Sequence, residues 1–170
     1  MIIRECREAD VALLERHIPS PGQSRYHQAR FQRQQQGRST FLIASIDEVP
    51  VGSGEILWQG CVALEVRRRY PDCPELNGLI IWPPQRRSHG IGTAIIRAAE
   101  DLAAQRGHRL LGLGVDDHNP RAAALYLRLG YRETGCRYLD RYHYIDDHGV
   151  RHDVADPCRF LAKPLHGKSA

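Results

Sequence analysis

At 170 residues and 19.3 kDa, the chain has the length of one ordinary domain and can bury roughly 70% of its unfolded surface without disulfides or metals. Hydrophobic residues at 42% and charged residues at 26% exclude wholesale disorder and collagen-like repeats, and no apolar run approaches the roughly 18 residues that span a bilayer. The net charge of +4 comes from 24 basic residues, of which only Lys163 and Lys168 are lysines; it is dispersed, whereas nucleic-acid binders concentrate charge on one stripe, so neither a nucleic acid nor a membrane is expected as partner.

Met1-Ile2-Ile3-Arg4-Glu5 reads as a short strand and lacks the charged-then-apolar order of a signal peptide. Asp10 starts a helix to about His17, ended by Pro19-Ser20-Pro21-Gly22. Arg25 to Gln36 is glutamine-rich, with a weak stripe at Tyr26, Ala29, Phe31 and Arg33, and Gly37 stops it. Phe41 to Ala44 and Val51 to Trp58 form a hairpin about Asp47 to Pro50. Residues 59 to 74, with Gly60, Arg67-Arg68-Arg69, Pro71 and Pro74, read as a surface connection before a buried strand at Leu76 to Trp82.

The second half has stronger signals. Ile91, Ile95, Ala98 and Leu102 recur at helical spacing and Gly107 closes that helix. Arg109 to Val115 is a strand, and Asn119-Pro120 is a capping residue followed by proline at the first helical position. Tyr138 to Ile145 and Asp153 to Ala162 form a terminal hairpin about Asp147-His148-Gly149. The order βααββ-βαβαββ, without repeat or linker, gives one α/β domain over residues 1–170. Five cysteines without a CxxC pair read as free thiols in a reducing compartment, so a cytoplasmic location is expected.

Arg87-Ser88-His89-Gly90-Ile91-Gly92-Thr93 joins the buried strand to the helix. Two glycines let the backbone turn tightly and approach a ligand; the first helical turn offers free N–H donors and partial positive charge, so the junction suits a pyrophosphate. Arg86 and Arg87 add charge beside it. GxGxxG fails, because Ile95 holds the third position, and GxxxxGK[ST] is absent. A bland alternative is a tight strand-to-helix turn with no ligand.

Arg87-x-x-Gly90-x-Gly92 resembles the acyl-CoA pyrophosphate loop, [Q/R]-x-x-G-x-[G/A], of the GNAT superfamily of N-acyltransferases. Leu79-Ile80-Ile81-Trp82-Pro83-Pro84 resembles that family's bulged fourth strand, and Asn119-Pro120-Arg121-Ala122 through Leu125-Tyr126 to Gly130-Tyr131 resembles its N-x-x-A-x-x-L-Y-x-x-x-G-[F/Y] segment. The similarity covers nearly the whole chain. It implies a mixed, mostly antiparallel central sheet flanked by helices and splayed between the fourth and fifth strands. Trp82 departs from the family's small aliphatic residue, with the expectation that it narrows the acyl slot or shifts the bulge, and His89 replaces the usual Arg, Lys or Gly.

The resemblance implies acetyl-CoA as co-substrate, no metal, and direct acetyl transfer to a primary amine, and it allows a homodimer. Backbone groups of Ile80, Ile81 and Trp82 would align the thioester, and residues Ser88, His89, Gly90, Ile91, Gly92 and Thr93 would hold the pyrophosphate. Asn119 would face the pantetheine, cap its helix, or both. Tyr126 matches the family tyrosine that protonates the departing thiolate; its plain reading is a core aromatic beside Leu125 and Leu129. Glu75 is the nearest carboxylate to where relatives place a base, against a solvated strand-end charge; Asp116, Asp117 and a water chain are alternatives. The acceptor is a small amine, with a protein amine or a non-catalytic acyl-CoA sensor as the other readings. Trp58, Trp82 and Tyr126 are expected beside its pocket. His143, Asp146, Asp147, His148, His152 and Asp153 are discounted as metal ligands because they flank a turn.

Overall fold

The computed structural model describes residues 1–165. In chain order the elements are β1 (Ile2–Glu5), α1 (Glu8–His17), α2 (Tyr26–Gln35), β2 (Ser39–Ile46), β3 (Val49–Leu57), α3 (Leu64–Arg69), β4 (Glu75–Ile81), α4 (Ile91–Gln105), β5 (Leu110–Asp116), α5 (Pro120–Arg128), β6 (Arg132–Ile145) and β7 (Arg151–Pro164). The seven strands lie in the order β1-β2-β3-β4-β5-β7-β6. All neighbours are antiparallel except β4 and β5. The mixed, mostly antiparallel sheet expected from the motifs is therefore the one observed.

Alternation along the strands divides the core. Leu42, Ala44, Leu111, Leu113, Val115 and Leu161 point to one face, where Ile91, Ile95, Ile96 and Ala99 of α4 and Ala123 and Tyr126 of α5 complete the largest apolar cluster. Each such aliphatic side chain gains about 1.5–3 kcal/mol from full burial. The opposite face carries two smaller clusters. Val11, Leu14 and Ile18 of α1 and Phe31 of α2 pack on Phe41 and Ile43. Val66 of α3 packs with Cys61, Cys73, Tyr138, Cys158 and Phe160. Between them runs a buried polar strip containing Ser53, Glu55 and Glu75.

Three sequence expectations are corrected. Residues 59 to 74 contain α3, whose last turn is the arginine triplet. The buried residues of α2 are His27, Arg30 and Phe31, so of the expected stripe of Tyr26, Ala29, Phe31 and Arg33, Phe31 alone is buried, and His27 and Arg30 complete the inward face. The terminal hairpin is longer than its apolar pattern, with 14 residues in each strand. Its turn is organised by Asp146, whose carboxylate accepts from the His148 amide at 2.9 Å, the Val150 amide at 2.9 Å and His152 Nε2 at 2.8 Å.

Candidate active site

β4 is shaped by a bulge. Ser53 pairs with Ile80 and Glu55 with Asn77, so Gly54 alone opposes both Gly78 and Leu79. Gly78 sits at φ +57, a conformation that glycine adopts without strain. The bulge is clamped by Arg30, only 1% exposed, whose Nη2 donates to the Gly78 carbonyl at 3.0 Å and to the Tyr26 hydroxyl. Arg30 Nε lies 3.6 Å from Glu55, which also receives a two-pronged contact from Arg33 at 2.8 and 2.7 Å.

Beyond its first residue β4 leaves β5. The only register pair is Glu75 with Gly112, reinforced by the Gly112 amide donating to the Pro74 carbonyl at 2.8 Å. The edge of β4 that faces β5 is therefore open over most of its length, a condition that interior strands do not tolerate without a partner. The Trp82 amide donates to the Val51 carbonyl at 2.9 Å. Alternation then commits the amides of Ile80 and Trp82 to β3 and turns the Ile81 backbone toward the open seam. The Trp82 ring packs with Ile80 against the α1–α2 cluster, and the bulge lies upstream of it. Trp58 packs elsewhere, stacked on His108 with the Arg106 guanidinium 3.9 Å from its ring centroid. Trp82 thus lies on the opposite face of the sheet from Tyr126, while Trp58 borders the same large apolar cluster as Tyr126.

At the end of β4 a 3-10 turn (Pro84–Arg86) leads to α4. Ser88 has φ +65 and Gly90 φ +82, and Gly90 occupies the N-cap without a side-chain hydrogen bond to the first turn. Residues 83 to 90 are exposed. His89 Nδ1 and the Arg87 carbonyl are 2.8 Å apart, and Arg121 of α5 donates to Ser88 Oγ at 3.2 Å. A Cβ on Gly92 would make only ordinary contacts, the nearest being Leu79 Cδ2 at 3.7 Å. Its φ is not in the left-handed region, so neither packing nor backbone conformation inside the chain calls for glycine there. The free first turn of a 15-residue helix, the side chain withheld at Gly92 and three arginines around the loop fit a diphosphate. Arg121 was not singled out from sequence, since its proximity to Ser88 depends on how α5 docks.

Asn119 is an N-cap, its Oδ1 accepting from the Ala122 amide at 3.1 Å. Tyr126 is 6% exposed, 6.3 Å from the Tyr131 ring, and burial alone pushes its phenol up to about 12. It is thus both a core aromatic and a fully protonated hydroxyl at neutral pH.

Glu75 is not a solvated strand end. It is 1% exposed, and burial, helped by the Asp140 charge, pushes its carboxyl up to about 8, against smaller opposing effects of Asn77, the Gly114 amide and Cys61. Its Oε2 has no hydrogen-bond partner. Gly114 makes room for this group: a Cβ there would overlap Tyr138 Oη and come within 3.1 Å of Glu75 Oε1. Tyr138 and Asp140 escaped the sequence reading because the β7–β6 register brings them here. Asp117 is engaged by Arg137 at 2.7 Å and Arg159 at 3.2 Å, whereas Asp116 meets only the exposed His118 at 3.0 Å. Burial pushes the thiols of Cys6, Cys61 and Cys73 up to about 12 and that of Cys158 up to about 11, so none of these four is a ready nucleophile. Among the described residues no group of three or more His, Cys, Asp or Glu is arranged to hold a metal, and no helix is long and apolar enough to cross a membrane.

The open seam between the parallel strands, the bulge of β4 beside it and the uncapped start of α4 follow one another along the chain. Comparisons with known proteins point the same way. The chain is 42% identical over 51 residues to the mycothiol acetyltransferase of Clavibacter sepedonicus, covering 30% of this chain and 17% of that one. It is 40% identical over 58 residues to an uncharacterized N-acetyltransferase of Bacillus subtilis (strain 168), covering 34% and 38%. The matched segments thus span well under half of these relatives. The fold is similar to that of the ribosomal-protein-S18-alanine N-acetyltransferase from Escherichia coli, with a TM-score of 0.65 at 20% identity over 99% of this chain and 97% of that one. Residues 9–131 match the acetyltransferase (GNAT) family, and the chain belongs to that family.

Proposed function

We propose that this chain is an N-acetyltransferase that moves the acetyl group of acetyl-CoA directly to a primary amine of a small molecule. The observation that carries the reading is the open β4–β5 seam ending at the exposed start of α4. A pantetheine arm laid along the seam meets the free Ile81 backbone, while its diphosphate reaches the amides of Ser88, His89, Gly90, Ile91, Gly92 and Thr93, with Arg86, Arg87 and Arg121 adding charge. Asn119 caps α5 and so holds Arg121 and Tyr126 in place.

Transfer needs a neutral amine, two reactants held together and a proton for the leaving group. The acceptor ammonium gives a proton to Glu75, directly or through water, and the freed lone pair attacks the thioester carbonyl. An N–H of the open β4 edge stabilises the oxyanion as the C–N bond forms. The C–S bond then breaks, the thiolate takes a proton from Tyr126, whose raised phenol is protonated at every working pH, and the second proton of the attacking nitrogen passes through solvent to restore the phenol as the amide forms. Thiol release from acetyl-CoA with a panel of amines tests the reading: amine-dependent release supports it. Acetyl-CoA binding without release on any amine makes the chain a sensor, and release on peptides alone makes it a protein acetyltransferase.

A further inference from the structure

The face that carries Glu75 continues into a set of carboxylates that, among the described residues, have one basic partner in all, the exposed His118 beside Asp116. Asp140 on β6 lies directly opposite Asp156 on β7, and Asp116 on β5 lies opposite Cys158, which in turn pairs with Tyr138. Three strands therefore present Asp116, Asp140 and Asp156 side by side. Like charges directly opposite in a sheet are unfavourable, and this chain has 24 basic residues from which a neutralising partner could have been drawn. None is placed here: the cationic partners Arg137 and Arg159 hold Asp117 instead, and the exposed His118 beside Asp116 is the single titratable base. The neighbouring groups register the surplus. Asp140 is raised by burial and by the charges of Asp156 and Asp116, and Cys158 and Tyr142 are raised by burial and then by carboxylates of the same set.

The second, independent observation is Glu75. It is fully buried at the inner end of this set, its Oε2 lacks any hydrogen-bond partner, and the charge that acts on it most is that of Asp140. A buried carboxyl with an unused oxygen next to an uncompensated carboxylate is a socket for a cation. The approach is also bridged. The hairpin of β6 and β7 reaches the loop between α1 and α2, where the Gln23 amide donates to the Ile145 carbonyl at 2.9 Å, and Gly22 is so close to that carbonyl that a Cβ would overlap it. This arch favours a slim, flexible acceptor over a folded one.

We propose that Asp116, Asp140 and Asp156 form the outer half of the acceptor site and select a small linear amine with at least two positive charges. One ammonium enters toward the unpaired oxygen of Glu75, and the second rests among the three aspartates. Two residues along a strand span about 7 Å, the order of the N-to-N separation in a diamine of about four or five carbons. The proposal rests on the acetyltransferase reading and narrows its acceptor.

The test is thiol release from acetyl-CoA with 1,5-diaminopentane, n-pentylamine and a short peptide with a free, uncharged N-terminal residue. These are compared in the wild type and in Asp140→Asn and Asp156→Asn, with calorimetric titration of the diamine into each protein. The expected result is a kcat/KM at least 10-fold higher for the diamine than for pentylamine, with that ratio falling at least 5-fold in both variants and falling with added salt. Equal use of the two amines, peptide use alone, or a ratio unchanged in both variants overturns the acidic subsite while leaving the acetyltransferase reading intact. Diamine binding that weakens in both variants, with no release on any acceptor, supports the subsite and overturns the enzyme instead.

Discussion

A carboxyl that keeps its proton to about pH 8 in the folded chain has lost it near the ordinary glutamate value once unfolded. For Glu75 the folded state therefore binds the extra proton between those two values, and this group's contribution to stability is fully present at acid pH and is lost as pH rises through about 8. Glu75→Gln removes that dependence, so the melting temperature of the variant gains on the wild type between pH 5 and 9. The same variant tests chemistry: wild-type kcat/KM falls on the acid side with an apparent pKa near 8, and Glu75→Gln abolishes that limb with a loss of about 10²–10⁴-fold. An unchanged limb and rate would move the base to Asp116 or a water chain. Asp140→Asn takes away the charge that helps raise Glu75, and so shifts the limb to lower pH. Tyr126→Phe deletes a hydroxyl whose shift has no hydrogen-bonding cause. It lowers kcat about 10²-fold, with acetyl-CoA affinity and melting temperature nearly unchanged; retained kcat would leave Tyr126 as a packing residue only.

At the scale of elements, the cleft depends on where β4 bends and where α4 begins. Gly78→Ala puts a Cβ into the Arg30 guanidinium at a left-handed backbone position, which costs about 1–3 kcal/mol and displaces the open edge. The expected readout is a lower denaturation midpoint with a raised KM for acetyl-CoA. The two glycines of the loop separate conformation from ligand contact. Gly90→Ala strains a residue at φ +82 that has open space around it, and so lowers stability by about 1 kcal/mol. Gly92→Val is tolerated by the fold but fills the cradle, so acetyl-CoA binding weakens at least 10-fold by calorimetry. Tight binding by Gly92→Val would place the diphosphate elsewhere. Local signals mark the elements of this half of the candidate site: glycines at a strand-to-helix junction, the Asn119-Pro120 cap and the periodicity of α4 all act within a few residues. The other half was hidden because it is assembled across strands. Glu75 looks solvated until Gly112 and Gly114 bring β5 beside it and Tyr138 covers it. Arg30 gives no sign of burial in the sequence, because Glu55 and the Gly78 carbonyl that hold it come from distant strands. The helix α3 has six residues and one buried side chain, Val66, too short for any period to emerge between Gly60 and Pro71.

At the scale of the whole molecule, the seam between β4 and β5 is the weak line of the sheet. Among the described residues it holds the only parallel pairing, a single register pair, in an otherwise antiparallel sheet. To one side lie β1 to β4 with α1 and α2; to the other lie β5, β7 and β6 with α3. The helix α4 spans the division, packing against β1, β2, β3, β4 and β5. A ligand laid along the seam supplies the contacts that the two strands do not give each other, so it stabilises the fold beyond its local contacts. Ligand at 100 times its Kd adds about 2.7 kcal/mol, which for a chain of this size corresponds to a rise of roughly 5–10 °C in melting temperature. The expected outcome is such a rise with acetyl-CoA or CoA. Slowed amide exchange should appear in β4 and β5 on both sides of the seam, as well as in the loop at residues 87 to 93. If the exposed arginines of the loop hold the diphosphate as proposed, the rise shrinks as salt increases from about 0.05 to 0.5 M. Protection confined to the loop, with β4 and β5 exchanging as before, would mean that the nucleotide end docks while the arm stays outside the sheet, and the open seam would then need another occupant.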